Sequence, residues 1–171
     1  MSFHIYKPNS KNTGCAFNFY LTKNKNGNEP VFLIGAIKQF SWNDKTKTGS
    51  FEKNKGNPEK VINVKFTEFE AGEMLSCLRR RYEWSTIHRF EDNQTTISLS
   101  PWDKEKKVFD KVKKEQKFIK IPAFGILLSR NGAETFRIPL EPGEVERLIS
   151  FLTNYLKQLD DIRYNNHVKN K

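Results

Sequence analysis

FRIPLEPGEVERLISFL, Phe136 to Leu152, changes its apolar spacing part-way along. Phe136, Ile138 and Leu140 alternate, the period of a strand with one buried face. Beyond Pro142, the residues Val145, Leu148, Ile149, Leu152 and then Leu156 recur at intervals of three and four, the stripe of an amphipathic helix. Proline suits a first helical turn, and the early glutamates complement the positive end of the helix. The stretch therefore reads as a strand that runs directly into a helix.

The pattern occurs twice. FEAGEMLSCLRRRY, Phe69 to Tyr82, shares the order apolar-Glu-x-Gly-Glu with LEPGE, and aligning Gly72 on Gly143 gives an offset of 71 residues. Met74, Cys77, Leu78 and Tyr82 form its helical stripe, and KVINVKF before it alternates Ile62, Val64 and Phe66. At that offset the two strands differ in phase by one residue, which predicts a bulge or a slipped boundary. Arg79, Arg80 and Arg81 end the first helix, where positive charge favours the negative helix end.

Further strand-like runs lie upstream of each helix. The first unit offers AFNFYLT (16–22), PVFLIGAIKQF (30–40) and a weak strand near 48–53, with Asn26-Gly27 as a hairpin turn. The second offers WSTIHRF (84–90), TTISLS (95–100) and KFIKIPAFGILLS (117–129). SWNDKTK and SPWDKEKK then occupy the same place in each unit, a Trp-Asp-Lys loop after the second strand. The spacing from Trp to the aligned Gly is 30 residues in the first unit and 41 in the second, the excess falling in DKEKKVFDKVKKEQ. The expectation is an α+β chain, a duplicated unit of four antiparallel strands followed by a helix. Residues 1–13 would be an N-terminal arm, 14–156 a single domain of two units (about 14–83 and 84–156), and 157–171 a polar tail.

Charge follows the same division. The net charge is +10, and residues 1–60 and 101–134, which hold strands and loops, carry +6 and +4 of it. Such an excess points to an anionic partner. Lys65, Lys120 and Arg137 alternate with apolar neighbours, so they would face out from an open sheet surface. Lys45, Lys47, Lys104, Lys106 and Lys107 stand in the loops, and Lys38 and Arg89 complete the basic set. Trp42, Phe51, Phe90 and Trp102 border these loops and offer flat faces for bases. A tryptophan at a strand end more often packs in a core or a subunit interface, and the Asp near each one suits a turn.

The order of elements resembles the Whirly and Pur-type arrangement, and is similar to positive cofactor four, in which the unit occurs once per subunit. The residues that carry the resemblance are KFIKI before a glycine-containing strand and FRIPLEPGEVERLISFL, and it spans about residues 14–156. No KGKAAL box is present. The resemblance implies a non-catalytic protein that binds single-stranded nucleic acid, DNA or RNA, on its sheet surface, as a homo-oligomer (dimer or tetramer), without a cofactor.

Other classes find less support. His4, His88 and His167 are scattered, Cys15 and Cys77 have no ligand spacing, and no nucleophile elbow or phosphate-binding glycine loop occurs. Asp44 and Asp103, equivalent under the repeat, would be the only paired carboxylates of a nuclease, and lysines crowd both. No basic amphipathic helix suggests a membrane surface, and MSFHIYKPNS has no apolar signal core, so a cytoplasmic protein is expected. An RNA-binding protein of the same fold and a protein-interaction module are the alternatives. Lys outnumbers Arg 22 to 8 beside 16 Asn, a bias of AT-rich genomes such as those of phages and low-GC bacteria.

Overall fold

The computed structural model describes residues 1–25 and 27–169. Two four-stranded antiparallel sheets enclose one core. The first contains β1 (Ser2–Lys7), β2 (Cys15–Lys23), β3 (Pro30–Lys38) and β6 (Val61–Phe66), in that spatial order. The second contains β7 (Trp84–Phe90), β8 (Asn93–Asp110), β9 (Glu115–Arg130) and β10 (Glu134–Leu140). A separate two-stranded hairpin, β4 (Ser41–Asn43) and β5 (Thr48–Ser50), lies between β3 and β6. Helix α1 (Glu68–Arg80) follows the first sheet and α2 (Pro142–Lys169) follows the second.

Both helix starts are set by a glutamate reaching back. Thr67 precedes α1: its hydroxyl accepts from the Glu70 N–H at 3.2 Å, and its own N–H donates to the Glu70 carboxylate at 2.9 Å. Glu141 precedes α2, and its N–H donates to the Glu144 carboxylate at 2.7 Å. The equivalent residues are thus Thr67 and Glu141, an offset of 74, not 71. At 74, Ile62, Val64 and Phe66 fall on Phe136, Ile138 and Leu140, and all six are buried. The expected bulge disappears: β6 and β10 are in phase, each buried at every second residue.

Four other expectations change. Residues 1–13 are no arm, because SFHIYK alternates well enough to pair along its whole length with β2, from Ser2–Tyr20 to Lys7–Cys15. With that strand counted, Trp42 follows the third sheet strand of its unit whereas Trp102 lies inside the second strand of its own, so the two tryptophan stretches are not equivalent corners. SPWDKEKK is strand rather than loop, paired with β9 from Pro101–Phe124 onward. Nor is 157–169 a loose tail: Leu159 extends the buried stripe of α2, and Arg163 bridges Glu29 (3.0 Å) and Glu68 (2.7 Å). Asn26 of the expected Asn26-Gly27 turn and residues 170–171 lie outside the described residues.

Each helix crosses to the other unit. α1 packs on α2 and on β7 and β8, while α2 packs on β3 as well as β9 and β10. Phe32 of β3 stacks on Phe66 (5.0 Å between centroids) and meets Phe151 (5.5 Å) and Tyr155 (6.0 Å) of α2. Arg130 of β9 donates to the carbonyls of Pro58 and Val61 at 2.8 Å each, and the Lys38 ammonium lies over the Phe136 ring at 5.2 Å.

Glu70 ties α1 to β7. Beyond the cap, its carboxylate accepts from the Thr86 hydroxyl (3.1 Å) and meets the His88 ring (2.6 Å). Burial works against its charge, but the Thr67 N–H, the His88 ring and the Thr67 hydroxyl together outweigh burial and hold the carboxyl below its ordinary value. A carboxylate depressed by folding adds stability above its unfolded pKa and loses it as pH falls through the folded one. Glu70→Gln is therefore expected to melt below the wild type at neutral pH, the gap closing below about pH 4. A melting difference that did not change with pH would remove the charge of Glu70 from this account.

Candidate nucleic-acid interface

In an antiparallel pair, directly opposed residues share a face. The register of the first sheet places His4, Asn18, Gly35 and Asn63 in one row across its four strands. Ser2, Tyr20, Leu33 and Lys65 form the row on one side, and Tyr6, Ala16, Ile37 and Val61 the row on the other. The opposite face carries Phe17, Phe19, Ile34, Ile62 and Val64, all buried. The open face is thus a polar row with a tyrosine on each flank.

That row forms the floor of a depression of about 390 Å³, within the range of ligand sites. Gly35 keeps the floor low: a side chain there would stand 2.7 Å from Asn63 Oδ1 and 3.6 Å from the Tyr20 ring. The Tyr20 hydroxyl donates to Asn63 Oδ1 at 3.4 Å. His4 and Tyr6 lie near parallel, 6.0 Å apart, and Phe51 meets Tyr6 edge-on at 6.0 Å, closing one wall. Lys55 stands at the rim. Asn18 Oδ1 is buried with no hydrogen-bond partner among the described residues. A buried amide oxygen without a partner carries a cost that a ligand donor removes.

The open face of the second sheet is rich in hydroxyls. Its rows are Ser85, Ser98, Leu127 and Arg137, then Ile87, Thr96, Ser129 and Thr135, then Ser100, Gly125 and Pro139. Trp102, Arg137, Ser100 and Thr13 surround a second depression of about 530 Å³ above Gly125.

The residues singled out in the sequence fall into separate places. Trp102 and Arg137 come together here, and Phe51 and Lys65 border the first open face. Lys38 is at the junction of the sheets, over Phe136. Trp42, Lys45 and Lys47 belong to the β4–β5 hairpin, where Asp44 accepts from Trp42 Nε1 (3.1 Å) and pairs with Lys47 (3.8 Å). Arg89 and Phe90, the latter 74% exposed, sit at the β7–β8 turn. That turn is about 30 Å from Trp102 at strand rise. Lys104 is held by Glu141 at 2.6 Å, and this contact keeps the Glu141 carboxyl below its ordinary value. Lys106, Lys107 and Lys120 stand on a two-stranded extension of β8 and β9.

Asp44 and Asp103, the carboxylates disfavoured for a nuclease, lie on different elements, Asp44 on the β4–β5 hairpin and Asp103 on β8, paired with Arg81 (3.0 Å). Among the described residues no three His, Cys, Asp or Glu side chains group as a metal site, and no helix is long and apolar enough to cross a membrane. Cys77 is buried, its Sγ donating to the Tyr82 carbonyl, and burial pushes its thiol up to about 11.

Sequence reading missed His4, Tyr6, Asn18, Tyr20 and Asn63. The signal was present: SFHIYK and CAFNFYLTK each alternate apolar residues with aromatic or amide ones.

The whole arrangement is similar to solved structures. The crystal structure of WHY3 from Arabidopsis thaliana matches with a TM-score of 0.58 at 13% identity, over 99% of this chain and 94% of that one. WHY1 from the same plant matches with a TM-score of 0.53 at 13% identity, over 93% and 90%. No protein-family model matches the chain, and no curated protein matches it in sequence. The two structures agree in fold with the resemblance read from the sequence, and the chain has a Whirly-like α+β fold.

Proposed function

We propose that the chain is a non-catalytic binder of single-stranded nucleic acid, DNA in the first place, that lays the strand across its open sheet faces. It would serve replication, recombination or transcription. The observation that carries the proposal is the row His4–Asn18–Gly35–Asn63 with Tyr6 and Tyr20 on its flanks. Single-stranded binding needs flat faces for bases and a basic track for phosphates. The two tyrosines are the flat faces, and Lys55 and Lys65 supply charge beside them. Gly35 leaves room for a base to approach the backbone, and the Asn18 and Asn63 amides meet its edge. The hydroxyls around Trp102 and Arg137 suit sugar and phosphate contacts further along the strand.

The test is a titration with labelled single-stranded DNA, single-stranded RNA and duplex DNA of one sequence at two salt concentrations. Single strands are expected to bind more tightly than blunt duplex, with a salt slope of about −0.7 per phosphate contact. Tighter binding of RNA than DNA would assign the same faces to RNA. Equal affinity for duplex and single strand would overturn the reading.

We also propose a homo-oligomer, a dimer or a tetramer. Strands β1, β6, β7 and β10 are the sheet edges, and such edges are ordinarily paired or covered. Light scattering at micromolar concentration is expected to give a multiple of the 20.1 kDa chain mass, and a monomer would rule this out.

A further inference from the structure

Strands β8 and β9 are far longer than their neighbours need. β8 pairs with β7 only from Asn93 to Leu99, and β9 pairs with β10 only from Phe124 to Arg130. From Trp102–Ala123 to Asp110–Glu115 the two strands pair with each other alone. The root of this ribbon is fixed on two sides, by Arg81, which caps the end of α1, on Asp103 (3.0 Å) and by Glu141 on Lys104 (2.6 Å). The tip is also built: Asp110 accepts the N–H groups of Val112 and Lys113 and pairs with Lys117 at 2.9 Å. From Lys104 to Asp110 the ribbon extends about 20 Å at strand rise. A free two-stranded ribbon is marginal in water, so one held out this far calls for a partner.

Between Glu105 and Lys120 it carries seven lysines against three carboxylates. Lys106, Lys107, Lys111, Lys113, Lys114 and Lys120 make no ion pair among the described residues. The register puts Lys106 and Lys117 on one face, Lys107 and Lys120 on the other, and the remaining three at the tip. A flat anionic surface meets only one face of a ribbon, whereas the two phosphate walls of a groove flank it. The ribbon of a second copy carries the same lysine excess, so two ribbons would repel each other. Phe109 and Phe118, 60% and 66% exposed, share the face of Lys107 and Lys120. The major groove of B-form DNA, about 12 Å wide, admits a two-stranded ribbon and offers thymine methyls to such apolar side chains. The major groove of A-form RNA is too narrow and deep for this.

We infer that the β8–β9 ribbon is a duplex-reading arm that lies in the major groove of B-form DNA and directs the chain to junctions between single-stranded and duplex DNA. The inference uses none of the residues of the first open face, so the two readings fail separately. The test compares four probes, namely single-stranded DNA, duplex DNA, a DNA junction and an RNA junction, in binding to the full chain and to two variants. In one variant residues 105–120 are replaced by Asn-Gly, a two-residue loop that closes the hairpin at the Lys104–Ile121 pair. The other combines Lys106→Gln, Lys107→Gln, Lys111→Gln, Lys113→Gln and Lys114→Gln and keeps the backbone.

The wild type is expected to bind the DNA junction about tenfold or more tightly than the single strand, and each lysine lost from a phosphate is expected to lower the junction salt slope by about 0.9. Shortening the ribbon is expected to abolish the junction preference, so that the variant binds the junction and the single strand alike. Retention of junction preference by the shortened variant would overturn the inference. So would equal binding of RNA and DNA junctions. Loss of self-association by the shortened variant, with all probes weakened together, would assign the ribbon to a second copy and overturn it too.

Discussion

Replacing Phe32 with alanine is expected to lower stability by about 3–5 kcal/mol, the range for truncating a fully buried aromatic. For a chain of this size that is a fall of roughly 6–20 °C in melting temperature. Phe32 is fully buried and meets Phe66 of its own sheet and Phe151 and Tyr155 of α2, so the void would open where the units join. Phe151→Ala is expected to cost a similar amount, and the double variant less than the sum, because the two rings line one space. Calorimetry at fixed pH measures all three. A loss below about 1 kcal/mol for Phe32→Ala would mean that the site collapses around the truncation.

The second large effect is on binding. Tyr6→Ala combined with Tyr20→Ala is expected to weaken single-stranded DNA binding by about 2–6 kcal/mol, at 1–3 kcal/mol for each base stacked. That is a loss of roughly thirtyfold to more than ten-thousandfold. Both tyrosines face away from the core, so the melting temperature is expected to move by only a few degrees, unlike that of Phe32→Ala. Fluorescence anisotropy with a labelled oligonucleotide separates the two quantities. Undiminished affinity would move the strand off the first sheet and onto the depression around Trp102 and Arg137.

The helices and most strands were legible because burial leaves a period in the sequence. FRIPL and KVINVKF alternate, and Val145, Leu148 and Leu152 trace one helical face. The Thr67-x-x-Glu70 capping pattern was also in plain view, and it would have given the offset of 74 directly. What misled was a likeness in composition: EAGE and EPGE share glycine and glutamate, yet Gly72 stands a turn into α1 while Gly143 stands near the start of α2. The Trp-Asp-Lys likeness failed for the same reason. Short polar motifs recur without a common place in the fold, whereas an apolar phase is tied to a face. The candidate site was less legible. Basic residues could be counted, but which strands lie side by side is set by long-range pairing, and the row from His4 to Asn63 draws on four separate segments.

The crossing of α2 onto the first sheet bears on how the chain folds as it is made. Phe3 and Phe32 leave the ribosome early, and their partner Phe151 is among the last core residues to follow. Until α2 is released, the apolar face of the first sheet has nothing to cover it, and four strands of exposed Phe, Ile and Val are a surface on which nascent chains aggregate. Neither unit completes its core alone, so the halves are expected to fold in one cooperative step with many contacts between distant residues, a class that folds on the slower side of the two-state range. A stop codon before Pro142 would thus yield an insoluble fragment rather than half a working protein, and synthesis in the cell would lean on chaperones that shield the first sheet until the last helix arrives.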